Sequence, residues 1–193
     1  MTTTTQIDIP VGTWKFDKSH SALTFVARHM MVTKVRGSFL GFDGTIEVAP
    51  NPVDSKVNVD IEMASVSTGA ADRDAHLVSP DFFDVATFPN MTFESTGIND
   101  QNGQWRLTGN LTIKGVTNPV TLDVSFDGTH TNPWGKTIAA FSASADVDRE
   151  DWGLTWNVPL QSGGVLVGKK VKLEIEAQLI KEEQTDESTA PSS

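Results

Sequence analysis

The sequence predicts an all-β domain: a closed antiparallel barrel of about eight strands with one short helix at about residues 69–78. Three observations carry this. Apolar residues recur at every second position in one segment after another, which gives each strand one dry and one wet face. Turn residues separate the segments, and almost no helical periodicity lies between them. A run of this many half-buried strands is relieved of exposed edges by closing on itself.

The clearest strands come first. Val57, Val59, Ile61 and Met63 alternate with Asn58, Asp60 and Glu62. Trp105, Leu107, Gly109, Leu111 and Ile113 share a face against Arg106, Thr108, Asn110, Thr112 and Lys114. Val120, Leu122, Val124 and Phe126 alternate with Thr121, Asp123 and Ser125. Ala139, Phe141, Ala143, Ala145 and Val147 oppose Ser142, Ser144, Asp146 and Asp148. Val171, Leu173, Ile175, Ala177 and Leu179 oppose lysines, glutamates and Gln178. Shorter strands are expected over 22–29, 37–48 and 91–95. Asp43-Gly44, Asn102-Gly103, Pro50-Asn51-Pro52, Asn118-Pro119 and Asn132-Pro133-Trp134-Gly135 are the expected breaks. The exception is the stretch from Gly69 to Val78, whose alanines and charged residues favour a helix that Ser79-Pro80 stops.

Composition bounds the rest. The 193 residues suit one domain, and 38% hydrophobic with 21% charged residues is globular composition. The expected organisation is a flexible segment over 1–8, a barrel over 9–180 and a disordered acidic tail over 181–193. A net charge of -10 repels phosphate backbones and anionic headgroups, so no nucleic-acid partner is expected. No window approaches the roughly 20 apolar residues of a helical span, so no stable membrane insertion is expected either. Without a cysteine there are no disulfides, thiolate metal sites or cysteine nucleophiles. The polar opening Met1 to Gln6 lacks the features of a signal peptide, and a cytoplasmic location is the expectation.

Chemistry-bearing residues are sparse. Asp72, Asp74 and His76 form one cluster with metal-ligand residue types, but Asp74 leaves the face that Asp72 and His76 share on a helix, and a solvated face is the favoured reading. His20 and His29 would point to opposite faces of a continuous strand. No Gly-x-Ser-x-Gly element or phosphate loop is present. The expectation is therefore no catalytic residue, no metal and no cofactor. Phe25, Phe39, Phe93, Phe126, Phe141, Trp152 and Trp156 either fill the barrel or line a tunnel within it, and pattern leaves both open.

Ordered blocks along the chain resemble the YceI-like family. They are Trp14-Lys15-Phe16-Asp17-Lys18-Ser19-His20-Ser21 with Phe25 and His29; Arg73-Asp74-Ala75-His76-Leu77 running into Asp81-Phe82-Phe83-Asp84-Val85; Leu111 to Val120; Arg149-Glu150-Asp151-Trp152-Gly153-Leu154; and Val167-Gly168 leading into Val171 to Ala177. Trp152 stands where the family more often has Phe. The resemblance implies a lipocalin-like barrel with an elongated apolar tunnel, a long-chain isoprenoid or fatty-acid-like ligand, and a homodimer. The expected ligand-binding set is Phe25, Phe39, Ile61, Met63, Phe93, Leu111, Val124, Phe126, Phe141, Trp152, Trp156 and Leu173 around the chain, with His20, Arg73, His76 and Arg149 near its polar head. Arg73 and Arg149 serve equally as a clasp paired with nearby aspartates at the rim. The function expected is non-enzymatic binding, storage or transport of the ligand. The alternatives are a metal-dependent enzyme using Asp72, Asp74, His76 and His20, and a stress-related interaction protein for which the barrel is a scaffold.

Overall fold

The computed structural model describes residues 8–183. The expected flexible opening and acidic tail fall almost wholly outside the described residues; within them, Lys181 ends the last strand. Eleven strands form: β1 (Gly12–Phe16), β2 (Ala22–His29), β3 (Thr33–Phe39), β4 (Phe42–Val48), β5 (Lys56–Glu62), β6 (Val66–Ser67), β7 (Asn90–Gln101), β8 (Gln104–Ile113), β9 (Val116–Thr131), β10 (Thr137–Asp148) and β11 (Val167–Lys181). Helix α1 (Ala71–Val78) starts slightly later than its sequence suggests.

Strands β1, β4, β5, β7, β8, β9, β10 and β11 pair in that order, and β11 returns to β1, which closes an eight-stranded antiparallel barrel. The three remaining strands are continuations. β2 follows β1 along the same edge of β11, β3 runs into β4, and β6 follows β5, so eight bent paths make up the wall. The bends arise where the alternation slips. Between β1 and β2, Asp17 Oδ1 accepts from the Ser19 amide at 3.0 Å, Asp17 Oδ2 accepts from Gln178 Nε2 at 2.9 Å, and Ser21 Oγ donates to the Gln178 carbonyl at 3.1 Å. These bonds pin the bend to β11. Closure leaves few wall edges unpaired, which is how a barrel avoids edge-to-edge association.

Two expected breaks fall inside strands. Asp43-Gly44 lies in β4 because Gly44 makes room for the ring of Phe16, and the real corner is Leu40-Gly41. Asn118-Pro119 lies near the start of β9, a position that tolerates proline, and the turn is instead Lys114-Gly115, both at positive φ. Asn102-Gly103 is a turn as expected, again with both residues at positive φ.

Two insertions sit at one end of the barrel: the segment with α1 between β6 and β7, and the stretch of 149–166 between β10 and β11. The hairpin tip between β2 and β3 and the Lys114-Gly115 turn share that end. The main apolar cluster runs from Leu23, Phe39 and Ile61 through Phe93, Leu111 and Leu122 to Trp152 and Leu154. A second cluster of Trp14, Ile46, Val48, Ala139 and Leu179 packs at the opposite end.

Candidate functional site

The main cluster does not fill the barrel. A cavity of about 340 Å³ runs through it, within the range of small-molecule sites. At one end its wall is formed by Ile9, Val48 and Pro52, and at the other by Leu77, Phe82, Leu154 and Val167. The polar members are few, and three of them are already engaged. Thr24 Oγ1 donates to the Glu174 carbonyl at 2.9 Å, Ser55 Oγ accepts from the Ala49 amide at 3.0 Å, and Arg106 pairs with Asp123 at 3.4 Å. A guest in this space meets mostly hydrocarbon, although the buried Nε of Arg106 has no hydrogen-bond partner among the described residues.

Backbone spacing shapes the wall. The rings of Phe25 and Phe93 lie over Gly37 and Gly109, where a Cβ would come within 2.2 and 2.3 Å of them. Each ring thus folds flat onto the sheet instead of crossing the interior. Phe25 also packs on Phe39 at 5.6 Å, and Phe39 meets Phe83 of the α1 insertion at 6.1 Å. That contact ties the insertion to the barrel mouth.

Arg149 is the fourth polar member and the one buried charged residue among the described core, only 5% exposed. Its Nε donates to the Gly168 carbonyl at 3.0 Å, Nη2 to the Val167 carbonyl at 3.3 Å, and Nη1 to the carbonyl of Leu154. Burial draws its pKa below the usual guanidinium value, while the carboxylates of Glu150 and Asp148 act in the opposite direction. It is a clasp, but to backbone carbonyls rather than to an aspartate. Trp152 caps the same corner, donating from Nε1 to the Leu111 carbonyl at 2.9 Å.

Of the residues singled out from sequence, Phe25, Phe39, Ile61, Phe93, Leu111, Val124, Phe141, Trp152, Leu173 and Arg149 line the cavity. Six lie elsewhere. Met63 is drawn out of the alternation by a single 3-10 turn and is packed shut at 2% exposure. Phe126 lies directly opposite Phe141 in the β9–β10 ladder, just before the register shifts, and packs against its ring at 5.1 Å beside the second cluster. Trp156 packs outside the mouth, edge-on to His76 at 4.6 Å and behind Phe82 at 5.3 Å. His20 is exposed at the β1–β2 bend, 2.8 Å from Asp17. Arg73 is exposed and donates to Thr68 through Nε at 2.7 Å and Nη2 at 2.9 Å. His76 Nε2 lies 2.9 Å from Asp81, on the outer side of the cap.

The cluster of Asp72, Asp74 and His76 is not drawn together, since Asp74 Oδ1 accepts from the amide and hydroxyl of Thr68. Among the described residues no group of three or more His, Asp or Glu is gathered as an ion would require. Sequence reasoning missed Phe16, Leu77, Phe82 and Phe83 as wall residues. The adjacent pair Phe82-Phe83 beside a helix that cannot bury it alone was the available signal. Val120 and Leu122 share the alternating face of Val124 and could have been read directly.

The fold and site define a class: a closed antiparallel barrel around an apolar cavity. The chain belongs to the YceI-like family, whose domain model matches residues 14–179. It is 39% identical over 165 residues to a UPF0312 protein of Staphylococcus aureus strain N315, covering 84% of this chain and 94% of that protein. A crystallised Campylobacter jejuni YceI protein superposes with a TM-score of 0.69 at 28% identity, covering 81% of this chain and 90% of that one. A polyisoprenoid-binding domain from Saccharophagus degradans, implicated in plant cell wall breakdown, shares the fold at a TM-score of 0.62 and 15% identity, covering 90% of this chain and all of that one.

Proposed function

We propose that this protein is a non-enzymatic carrier or store for a long-chain apolar ligand, an isoprenoid or fatty-acid-like molecule held inside the barrel. The observation that carries the reading is the cavity itself: about 340 Å³ walled by hydrocarbon, with the hydroxyls of Thr24 and Ser55 already engaged by the backbone. Such a site rewards removal of methylenes from water and little else. Each buried methylene contributes about 0.8 kcal/mol, so about ten of them gain about 8 kcal/mol before the cost of association is subtracted. One chain completes the wall by itself, so the reading needs no second copy. The polyisoprenoid named for the Saccharophagus degradans domain is a ligand of the same chemical kind.

The reading is tested by mass spectrometry of an organic extract of the purified protein, followed by titration of the stripped protein with long-chain alcohols and fatty acids. Copurifying lipid, or saturable uptake of these probes, is the expected result. A stripped protein that takes up neither, with its interior closed by side chains in a crystal structure, would overturn it.

A further inference from the structure

We propose that the hairpin tip between β2 and β3 is a docking edge for an anionic lipid bilayer, which sets the rim of the cavity against the membrane surface. The tip is Met30-Met31-Val32, exposed at 49, 55 and 76%. Val158, 42% exposed, joins it through the ladder in which the Met30 amide donates to the Leu166 carbonyl at 2.7 Å and the Leu166 amide to that of Val158 at 2.9 Å. Three apolar side chains at the point of a hairpin stand proud of the surface rather than forming part of any core.

The turn is built against its own stability. Met30 and Met31 have φ of 51° and 63°, the left-handed region where an ordinary side chain is strained. The turns after β7 and β8 pair one such residue, Asn102 or Lys114, with a glycine, Gly103 or Gly115, whereas here both positions carry a methionine. Asn-Gly would suit the β2–β3 tip better for folding, and two methionines there supply instead a flexible, adaptable apolar point. Such departures from local preference mark function.

Charge identifies the partner. The chain carries a net -10, yet no Asp or Glu occurs from Lys18 through Phe42, which contains Arg28, His29, Lys34 and Arg36. Arg36 is paired with Glu174, whereas Arg28 donates to the Val32 carbonyl and, like Lys34, forms no ion pair among the described residues. An apolar point flanked by cations is the composition that meets an anionic headgroup layer. Carboxylates at the same end of the barrel sit on the two insertions and at the end of β10, where Glu150 is held by Lys169, Asp81 by His76 and Asp146 by Lys170, and Asp148 accepts from the Glu150 amide. The exposed Asp72 and Asp151 there are repelled by such a surface, so the hairpin side turns toward it. The opposite end exposes Val11, Val53 and, at 82%, Trp134; Asp8 and Asp54 stand beside the two valines in the chain, and Trp134 is a single apolar side chain between Asn132-Pro133 and Gly135-Lys136. No helix among the described residues is long and apolar enough to cross a bilayer, so the contact proposed is a surface one.

Position links docking to the cavity. Val167 pairs with His29 and lines the cavity, and Ala27 lines it from the same hairpin. The rim therefore lies next to the exposed tip. Docking goes beyond the carrier reading and is scored without any cavity ligand, so its failure leaves that reading standing.

The experiment is flotation of the full chain with phosphatidylcholine vesicles, with and without phosphatidylglycerol, at low and physiological salt. The wild type is expected to float with the phosphatidylglycerol vesicles and to detach as salt is raised. The double variant Met30→Asn, Met31→Gly should lose about tenfold in partitioning while its melting temperature equals or exceeds that of the wild type, so misfolding cannot mimic the result. Lys34→Ser should lose about fivefold on the charged vesicles alone. Absence of wild-type flotation on charged vesicles at low salt, or undiminished flotation of the double variant, overturns the proposal. So does a wild-type dimer in light scattering that becomes monomeric in the double variant, since the tip would then be covered by a second copy.

Discussion

Glycine decides where the aromatic rings go. The Cβ of a Gly109→Ala variant would meet Phe93 at 2.3 Å and the Glu94 backbone carbonyl at 2.6 Å, and the backbone has no room to retreat. The three atoms nearest a Cβ at Gly37 all belong to the ring of Phe25, the first at 2.2 Å, and that ring borders the cavity into which it can swing. Urea unfolding should therefore show a loss of about 3 kcal/mol for Gly109→Ala and about 1 kcal/mol for Gly37→Ala. Lipid capacity should fall in the second, since Phe25 then occupies guest space. Equal losses of stability with unchanged uptake would contradict this account. The sequence offered Phe25 and Phe93 as strand residues, but which glycine lies beneath each ring depends on the register between strands.

At the scale of elements, β10 and the β1–β2 bend each give a prediction. Ala143 of β10 lies opposite Val124 and Ile175 and lines the cavity. Ala143→Phe adds a ring to open space, so it should cost less than about 1 kcal/mol, whereas a packed core loses about 1 to 3 kcal/mol to overpacking. Displacement of a fluorescent fatty acid should at the same time disappear. A strongly destabilised variant with intact uptake per folded molecule would mean that Ala143 does not face the guest. At the bend, burial raises the pKa of Asp17, but its bonds with His20, the Ser19 amide and Gln178 outweigh this and leave it below the ordinary aspartate value. A carboxylate depressed on folding contributes stability above its unfolded pKa, and that contribution is lost as pH falls through the lower, folded value. The melting temperatures of the wild type and Asp17→Asn should accordingly differ at neutral pH and converge in acid. A constant gap across that range would show that Asp17 acts through geometry alone.

For the whole molecule, a guest that binds only the closed barrel must stabilise it. At a free ligand concentration about a hundredfold above Kd the gain is about 2.7 kcal/mol, which for a domain of this size raises the melting temperature by about 5 to 10 °C. Calorimetry of stripped and reloaded protein checks this, and an unchanged transition with lipid demonstrably bound would place the lipid on the unfolded chain as well. The sequence by itself determined the all-β class, a closed barrel of about eight strands and much of the wall, because a period of two assigns Ile61, Leu111, Val124, Phe141 and Leu173 to the dry face without knowledge of their partners. It also carried the family, in blocks from Trp14 to the final strand at Val171 to Ala177. Only the tertiary structure decided whether that interior is filled or open, and which aromatics border it. Phe126 and Trp156 carry the same apolar signal as Phe141, yet one packs on Phe141 beside the second cluster and the other packs outside the mouth. Phe82 and Phe83 lie in a loop with no period to read and are brought over the opening by the α1 insertion. Periodicity reports which side of a strand is dry; whether opposite dry sides meet depends on the separation of distant segments, which no local pattern encodes.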